Sequence, residues 1–264
     1  MPVLVTSAQR SLPRRLVRRL LEEGGEVRAY AHGDATSLRS AGAMVATGEV
    51  DDEGRLEAAM ESVHTVFLVG GGLLTADVQA QVHDAEVVAT AASNAGVARL
   101  ITLSLPGADP GSTDPLRAAK GRIEAGFAEA APLSIVVRTS WVDTDAAADA
   151  VLAGGLLDVA EEVEVAPVRV DDLLELVVGF DQARSSADGG HLVVAADGPE
   201  RRHLAGHLRH RDAAHRSLVG RRLPEPAVLA TLRATLAGPW TTDATVADAW
   251  PLAGVVPRQP GVAG

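Results

Sequence analysis

Cysteine is absent from the 264 residues. That excludes a disulfide framework, a thiolate nucleophile and a zinc–thiolate site. Aromatic residues are scarce: three Phe, three Trp and one Tyr, 3% of the chain. A core must therefore come from Val, Leu and Ala, and a hydrophobic content of 47% is ample for one. Any chemistry that needs a phenol has a single residue to draw on, Tyr30. Positive charge is also short, with 24 Lys and Arg against 35 Asp and Glu, a net charge of −11. So acidic a surface speaks against nucleic acid as a partner, because phosphate contacts need a basic one. Arg10, Arg14, Arg15, Arg18 and Arg19 crowd the first helix, where they read as a solvated face. No apolar run is long enough to span a bilayer and nothing resembles a signal peptide, so a soluble, cytoplasmic protein with no membrane partner is expected.

What is present is alternation. Short apolar runs predict strands over 3–6, 26–31, 43–46, 64–69, 98–104, 133–139 and 191–195. Amphipathic patterns predict helices over 13–23, 36–41, 53–61, 75–95, 115–130, 145–153, 171–183, 200–218 and 225–236. Strands joined by helices imply a doubly wound, mostly parallel α/β sheet covered on both faces. The length allows one large domain, or a core with a small appendage. Residues 1–140 form the expected core and 141–240 a C-terminal part that adds late strands and a lobe. Residues 241–264, with Pro251, Pro257 and Pro260, read as an extended tail.

The first strand, Val3-Leu4-Val5, runs directly into Thr6-Ser7-Ala8-Gln9-Arg10-Ser11-Leu12-Pro13 and a helix. A dinucleotide-binding fold places G-x-x-G-x-x-G at this junction, for the tight turn and for close approach of pyrophosphate. Here Ser7, Arg10 and Pro13 hold those places. Arg10 brings a long side chain toward the phosphate space, and Pro13 lacks an N–H to offer an anion.

Other stretches carry a family signature. They are Gly48-Glu49-Val50-Asp51-Asp52 followed by Leu56-Glu57-Ala58-Ala59-Met60 and Val66-Phe67-Leu68-Val69, then Ala95-Gly96-Val97-Ala98-Arg99-Leu100-Ile101-Thr102-Leu103-Ser104, Lys120-Gly121-Arg122-Ile123-Glu124, Val137-Arg138-Thr139-Ser140-Trp141 and Pro167-Val168-Arg169-Val170-Asp171-Asp172. In this order the chain resembles the NmrA-like, atypical branch of the short-chain dehydrogenase/reductase superfamily over nearly its whole length. The resemblance implies a Rossmann-type sheet whose C-terminal lobe caps a substrate. The departures are specific. Glu49 stands where the resemblance expects Asp near the adenine, and His32 where a basic residue would meet a 2′-phosphate. The superfamily's Tyr-x-x-x-Lys is reduced to Lys120, with Leu116 in the tyrosine's place, so its tyrosine mechanism is not available.

Ligands in open α/β sheets bind beyond the carboxyl ends of the strands. The pocket candidates there are Thr6, Ser7, Arg10, Gly70, Gly71, Gly72, Ser104, Ser140 and Trp141. The glycine loop would let a ligand approach backbone, or would simply turn. Ser104 is suited to bond a substrate oxygen or to satisfy backbone. Trp141 is suited to stack on a flat ligand or to pack the core. Asp143 could act as a base or cap the following helix, and Lys120 could pair with Glu124 at i+4. The catalytic candidates are Ser104, Lys120 and Asp143. Arg10 is expected to lie across the former phosphate site, or to meet an anion at its edge. His203, His207 and His210 share a predicted helix face, but interleaved arginines favour a solvated basic surface over a metal site.

From these features no cofactor is expected. The leading expectation is a small-molecule protein that has lost NAD(P) and performs a non-redox biosynthetic step such as cyclisation, isomerisation, elimination or coupling. The alternatives are an NAD(P)H-dependent oxidoreductase and a non-catalytic sensor or regulator. A homo-oligomer is compatible with all three.

Overall fold

The computed structural model describes residues 1–69, 77–142, 144–154, 156–183, 190–208 and 225–241. Seven strands form the main sheet: β1 (Val3–Val5), β2 (Val27–Ala31), β3 (Met44–Thr47), β4 (Thr65–Leu68), β5 (Arg99–Ser104), β6 (Leu133–Thr139) and β8 (Gly190–Ala196). Their spatial order is β3-β2-β1-β4-β5-β6-β8, and every neighbouring pair is parallel. All residues of β1 and β5 are buried, as expected of strands covered on both faces. The order reverses between β1 and β4, and the crevice at such a reversal is where open sheets bind ligands.

The helices divide by face. Helix α1 (Ser11–Glu22) packs against α8 (Val170–Gln182), and α2 (Thr36–Ser40) adds Leu38 to the same apolar cluster. On the other face α3 (Glu53–Met60), α4 (Val78–Asn94) and α5 (Pro115–Ala130) pack side by side. Asp52, Asp77 and Asp114 cap these three by accepting from N–H groups of their first turns. Gly24 (φ 78) and Gly96 (φ 67) stop α1 and α4 in left-handed backbone.

A third cluster lies beyond β5 and β6. It joins Leu105, Leu116 and Trp141 to α6 (Asp145–Ala153), α7 (Leu157–Glu162) and the last described helix (Pro226–Leu236). A two-stranded antiparallel ribbon, β7 (Glu164–Val165) with β9 (Arg202–His203), edges this lobe. The helix expected from residue 200 is corrected here. Arg202–His203 is strand, because it pairs with Glu164–Val165, and helix begins only at Leu204. His203 and His207 therefore do not share a helix face, and His210 lies outside the described residues. No group of three His, Asp or Glu suited to a metal forms among the described residues. No helix among them is long and apolar enough to cross a membrane.

Candidate functional site

The turn after β1 keeps its backbone shape without its glycines. Ser7 takes φ 51, the left-handed region that glycine enters freely. Such a conformation costs a residue with a Cβ about 1–2 kcal/mol, so the surrounding structure holds it in place. The Arg10 N–H donates to the Ser7 carbonyl at 3.0 Å, which closes the turn, and α1 starts at Ser11. Pro13 is buried in the first turn of α1, where its N–H would have had no helical partner. No described residue accepts from the Ser11 or Leu12 N–H, and the first turn carries no acidic residue. This is the positive end of a helix dipole with backbone donors to spare, at the end of β1 beside the β1–β4 reversal.

The expectation for Arg10 is corrected. Its side chain is exposed and makes no hydrogen bond or ion pair with any described residue. Its charge lies near Asp84 of α4 and favours that carboxylate, although burial raises the Asp84 pKa overall. An exposed guanidinium keeps its solvation, which burial would take away unless acceptors replaced it. Thr6 is also spent elsewhere: its N–H and hydroxyl both reach the Phe67 carbonyl, at 3.1 Å each, tying β1 to β4.

The next strand ends, after β2 and β3, carry a second cluster. The His32 N–H donates to Gln9 Oε1 at 3.3 Å, and His32 Nδ1 pairs with the Glu49 carboxylate from the end of β3. Tyr30, wholly buried, donates its hydroxyl to the Glu49 carbonyl at 2.9 Å. A Cβ on Gly48 would strike Tyr30 Oη and Arg55 Cδ, so the Gly48-Glu49 backbone is seated directly on that phenol.

Beyond β5, Ser104 is 3% exposed and its hydroxyl meets no hydrogen-bond partner. A buried unpaired hydroxyl costs about 1–3 kcal/mol, which marks it as a group held for something else. Lys120 is buried on α5 and reaches only the Leu103 carbonyl, at 3.5 Å. Burial lowers its pKa to about 8, and the Glu124 charge opposes that shift. The expected Lys120–Glu124 ion pair does not form. Arg138 takes Glu124 with both ends of its guanidinium, at 3.0 and 2.6 Å, and leaves the amine without a contacting counterion. Leu116, in the tyrosine's place, is wholly buried in the lobe cluster.

Ser140 accepts from the Ala166 N–H at 3.1 Å and is buried, so its hydroxyl pins β6 to the lobe. Trp141 has no exposed surface and packs on Trp240, with ring centroids 5.9 Å apart. Its part in the described structure is core. Gly70, Gly71, Gly72 and Asp143 lie outside the described residues.

Sequence reasoning passed over Arg117. Its guanidinium is buried and donates to the carbonyls of Pro106 (3.0 Å), Thr235 (2.8 Å) and Pro239 (2.6 Å), pairs with Asp114, and lies 5.7 Å from the Trp240 ring. No local pattern announces partners more than a hundred positions away. The His32–Glu49 pairing was hidden because it joins the ends of two neighbouring strands, which sequence periodicity does not register.

A family model for NAD(P)H binding matches residues 8–153, more than half of the chain. No functionally curated protein matches the sequence. Among solved structures, a triphenylmethane reductase of Citrobacter sp. complexed with NADP(H) superposes with a TM-score of 0.75, at 16% identity over 97% of each chain. A nucleoside-diphosphate-sugar epimerase of Staphylococcus aureus gives 0.72, at 13% identity over 98% of each. An NADPH-dependent quinone oxidoreductase of Escherichia coli complexed with NADPH gives 0.68, at 19% identity over 96% of this chain and 95% of that one. The NmrA-like resemblance and the Rossmann-type sheet are borne out. The expectation of no cofactor is overturned by the family match, which begins inside the turn whose glycines are missing. The residues present fit a dinucleotide. The left-handed turn, the unshared Ser11 and Leu12 N–H groups, the exposed Arg10 and the unpartnered Ser104 hydroxyl all lie along the strand ends.

Proposed function

The chain belongs to the NAD(P)H-binding family, and we propose that it is a cytoplasmic NAD(P)H-dependent oxidoreductase acting on a small organic acceptor. The observation that carries this reading is the turn after β1, which keeps a strained left-handed Ser7 instead of relaxing it. The non-redox reading loses its premise once the cofactor is restored.

The bound nicotinamide supplies a hydride, two electrons with one proton. Ser11 and Leu12 offer backbone N–H groups to the pyrophosphate, and Gln9, His32 and Glu49 line the adenosine side. Ser104 holds an acceptor oxygen with its free hydroxyl. Lys120 keeps positive charge under the end of β5, and with a pKa near 8 it can give up a proton at neutral pH and regain it. With Leu116 in place of a phenol, and with the Lys120 amine reaching only the Leu103 carbonyl, no described side chain delivers a proton directly to the acceptor. The site therefore suits acceptors that take a hydride without simultaneous protonation: a quinone, which leaves as a stabilised hydroquinone anion, or a cationic dye, which the hydride neutralises. These are the kinds of molecule named for two of the superposing enzymes.

The test is loss of reduced-nicotinamide absorbance with a quinone, a triphenylmethane dye and a simple ketone. Oxidation with the first two, impaired by Ser104→Ala and Lys120→Met, supports the reading. Cofactor binding without oxidation by any acceptor would leave a sensor in its place.

A further inference from the structure

The adenosine end of the site carries a charge arrangement of its own. His32 follows β2, where a fixed cation would be needed to hold a 2′-phosphate. Instead its ring is paired with the carboxylate of Glu49. Both side chains are about two-thirds exposed, at 62% and 64%, so the pair sits at the mouth rather than in the core.

Its surroundings add negative charge. Glu49, Asp51 and Asp52 all act on Tyr30 and raise its pKa, after burial as the largest cause. Asp34 follows His32 and folds back on the Thr36 N–H and hydroxyl, at 2.9 and 2.7 Å. Against these four carboxylates stand Arg39, near Asp34, and Arg55, which already holds the Thr47 carbonyl at 3.0 Å and Asp52 at 3.5 Å. Arg10 belongs to the pyrophosphate end, near Asp84.

We propose that the His32–Glu49 pair makes this site select NADH over NADPH. The inference rests on the NAD(P)H-binding reading and goes one step past it. A ribose hydroxyl finds an acceptor in the Glu49 carboxylate, which the His32 ring orients, while Gln9 Oε1 accepts from the His32 N–H and steadies its backbone. A 2′-phosphate meets guanidiniums that are already matched by carboxylates: Arg55 is held by the Thr47 carbonyl and Asp52, and the Arg39 charge acts on Asp34. To recruit His32 it must break the pair, and the Glu49 carboxylate then faces a second anion. Like charges placed together repel, so the expected discrimination is about tenfold in Kd. The preference runs opposite to the NADP(H) and NADPH named for the triphenylmethane reductase and the quinone oxidoreductase, so similarity of fold to those two does not supply it.

The test is calorimetric titration of the full chain with NADH and with NADPH, on wild type, Glu49→Gln and His32→Arg/Glu49→Gln. The expected result is tighter NADH binding in wild type, a narrower gap in Glu49→Gln and a preference for NADPH in the double variant. NADPH binding as tight as NADH in wild type overturns the inference and leaves the family reading intact. An unchanged ratio in the double variant overturns it too. Binding of neither nucleotide overturns both the inference and the reading beneath it.

Discussion

The turn after β1 and the lobe beyond β5 each depart from the pattern that the family resemblance implies, and they answer the departure differently. At the turn, Ser7 replaces a glycine and the backbone keeps the glycine's left-handed conformation. On α5, Leu116 replaces a tyrosine and the position has joined the apolar core. A glycine contributes no group of its own, so its role passes to any residue the fold can force into the same φ and ψ. A phenol contributes its hydroxyl, and leucine cannot inherit that. A cofactor cradle made of backbone N–H groups therefore outlasts side-chain substitution, and a proton donor made of one side chain does not.

The largest effect expected from breaking this comparison is in the lobe, which side chains hold together. Arg117→Met leaves the Pro106, Thr235 and Pro239 carbonyls and Asp114 without their donor. Urea denaturation is expected to show a loss of about 3–5 kcal/mol, the scale for removing one partner of a buried ion pair. A loss below that of a surface substitution would show that the lobe is held by something else.

The next effect depends on pH. The Lys120 pKa falls from an ordinary 10.5 to about 8 because burial disfavours the charged amine. Between those values the unfolded chain binds the extra proton, so this group makes the protein more stable as pH rises through that window. Below pH 8 the cost of the buried charge is fully present. Lys120→Met is expected to exceed wild type in stability at neutral pH, with the difference closing as pH rises from 8 to 10.5. A constant difference across that range would remove the amine from the account.

Restoring the family residue on each side sharpens the contrast most. Leu116→Tyr is expected to cost about 1–3 kcal/mol, because a larger polar side chain enters a filled site. Ser7→Gly is expected to add about 1 kcal/mol, by removing the strain of a Cβ at positive φ, and to keep or tighten nucleotide binding. Thermal melts of the two variants beside wild type read both signs. Equal signs would erase the distinction between a backbone site and a side-chain site.

The same contrast explains how far the sequence could be read. Val3–Val5, Arg99–Ser104 and Leu133–Thr139 announced themselves as short apolar runs, and the Asp52 cap and the Gly24 and Gly96 stops are local chemistry. The α7 turn and the β7–β9 ribbon were missed, since a two-residue strand has no period to detect. The cofactor expectation failed for a definite reason: missing glycines were read as a missing site, when what matters is the conformation that Ser7 still adopts. Arg10 was read as a plug, but a long cation at a solvent rim points outward. The partners of Arg117 and the His32–Glu49 pair depend on contacts between distant segments, which one sequence does not show.

The central claim is that the nucleotide cradle survives its lost glycines. Calorimetric titration of the unaltered chain with NADH and NADPH tests it most directly. The account predicts saturable, micromolar binding of at least one of the two, with a matching rise in melting temperature. Absence of binding heat and of thermal stabilisation at millimolar concentrations of both would contradict it.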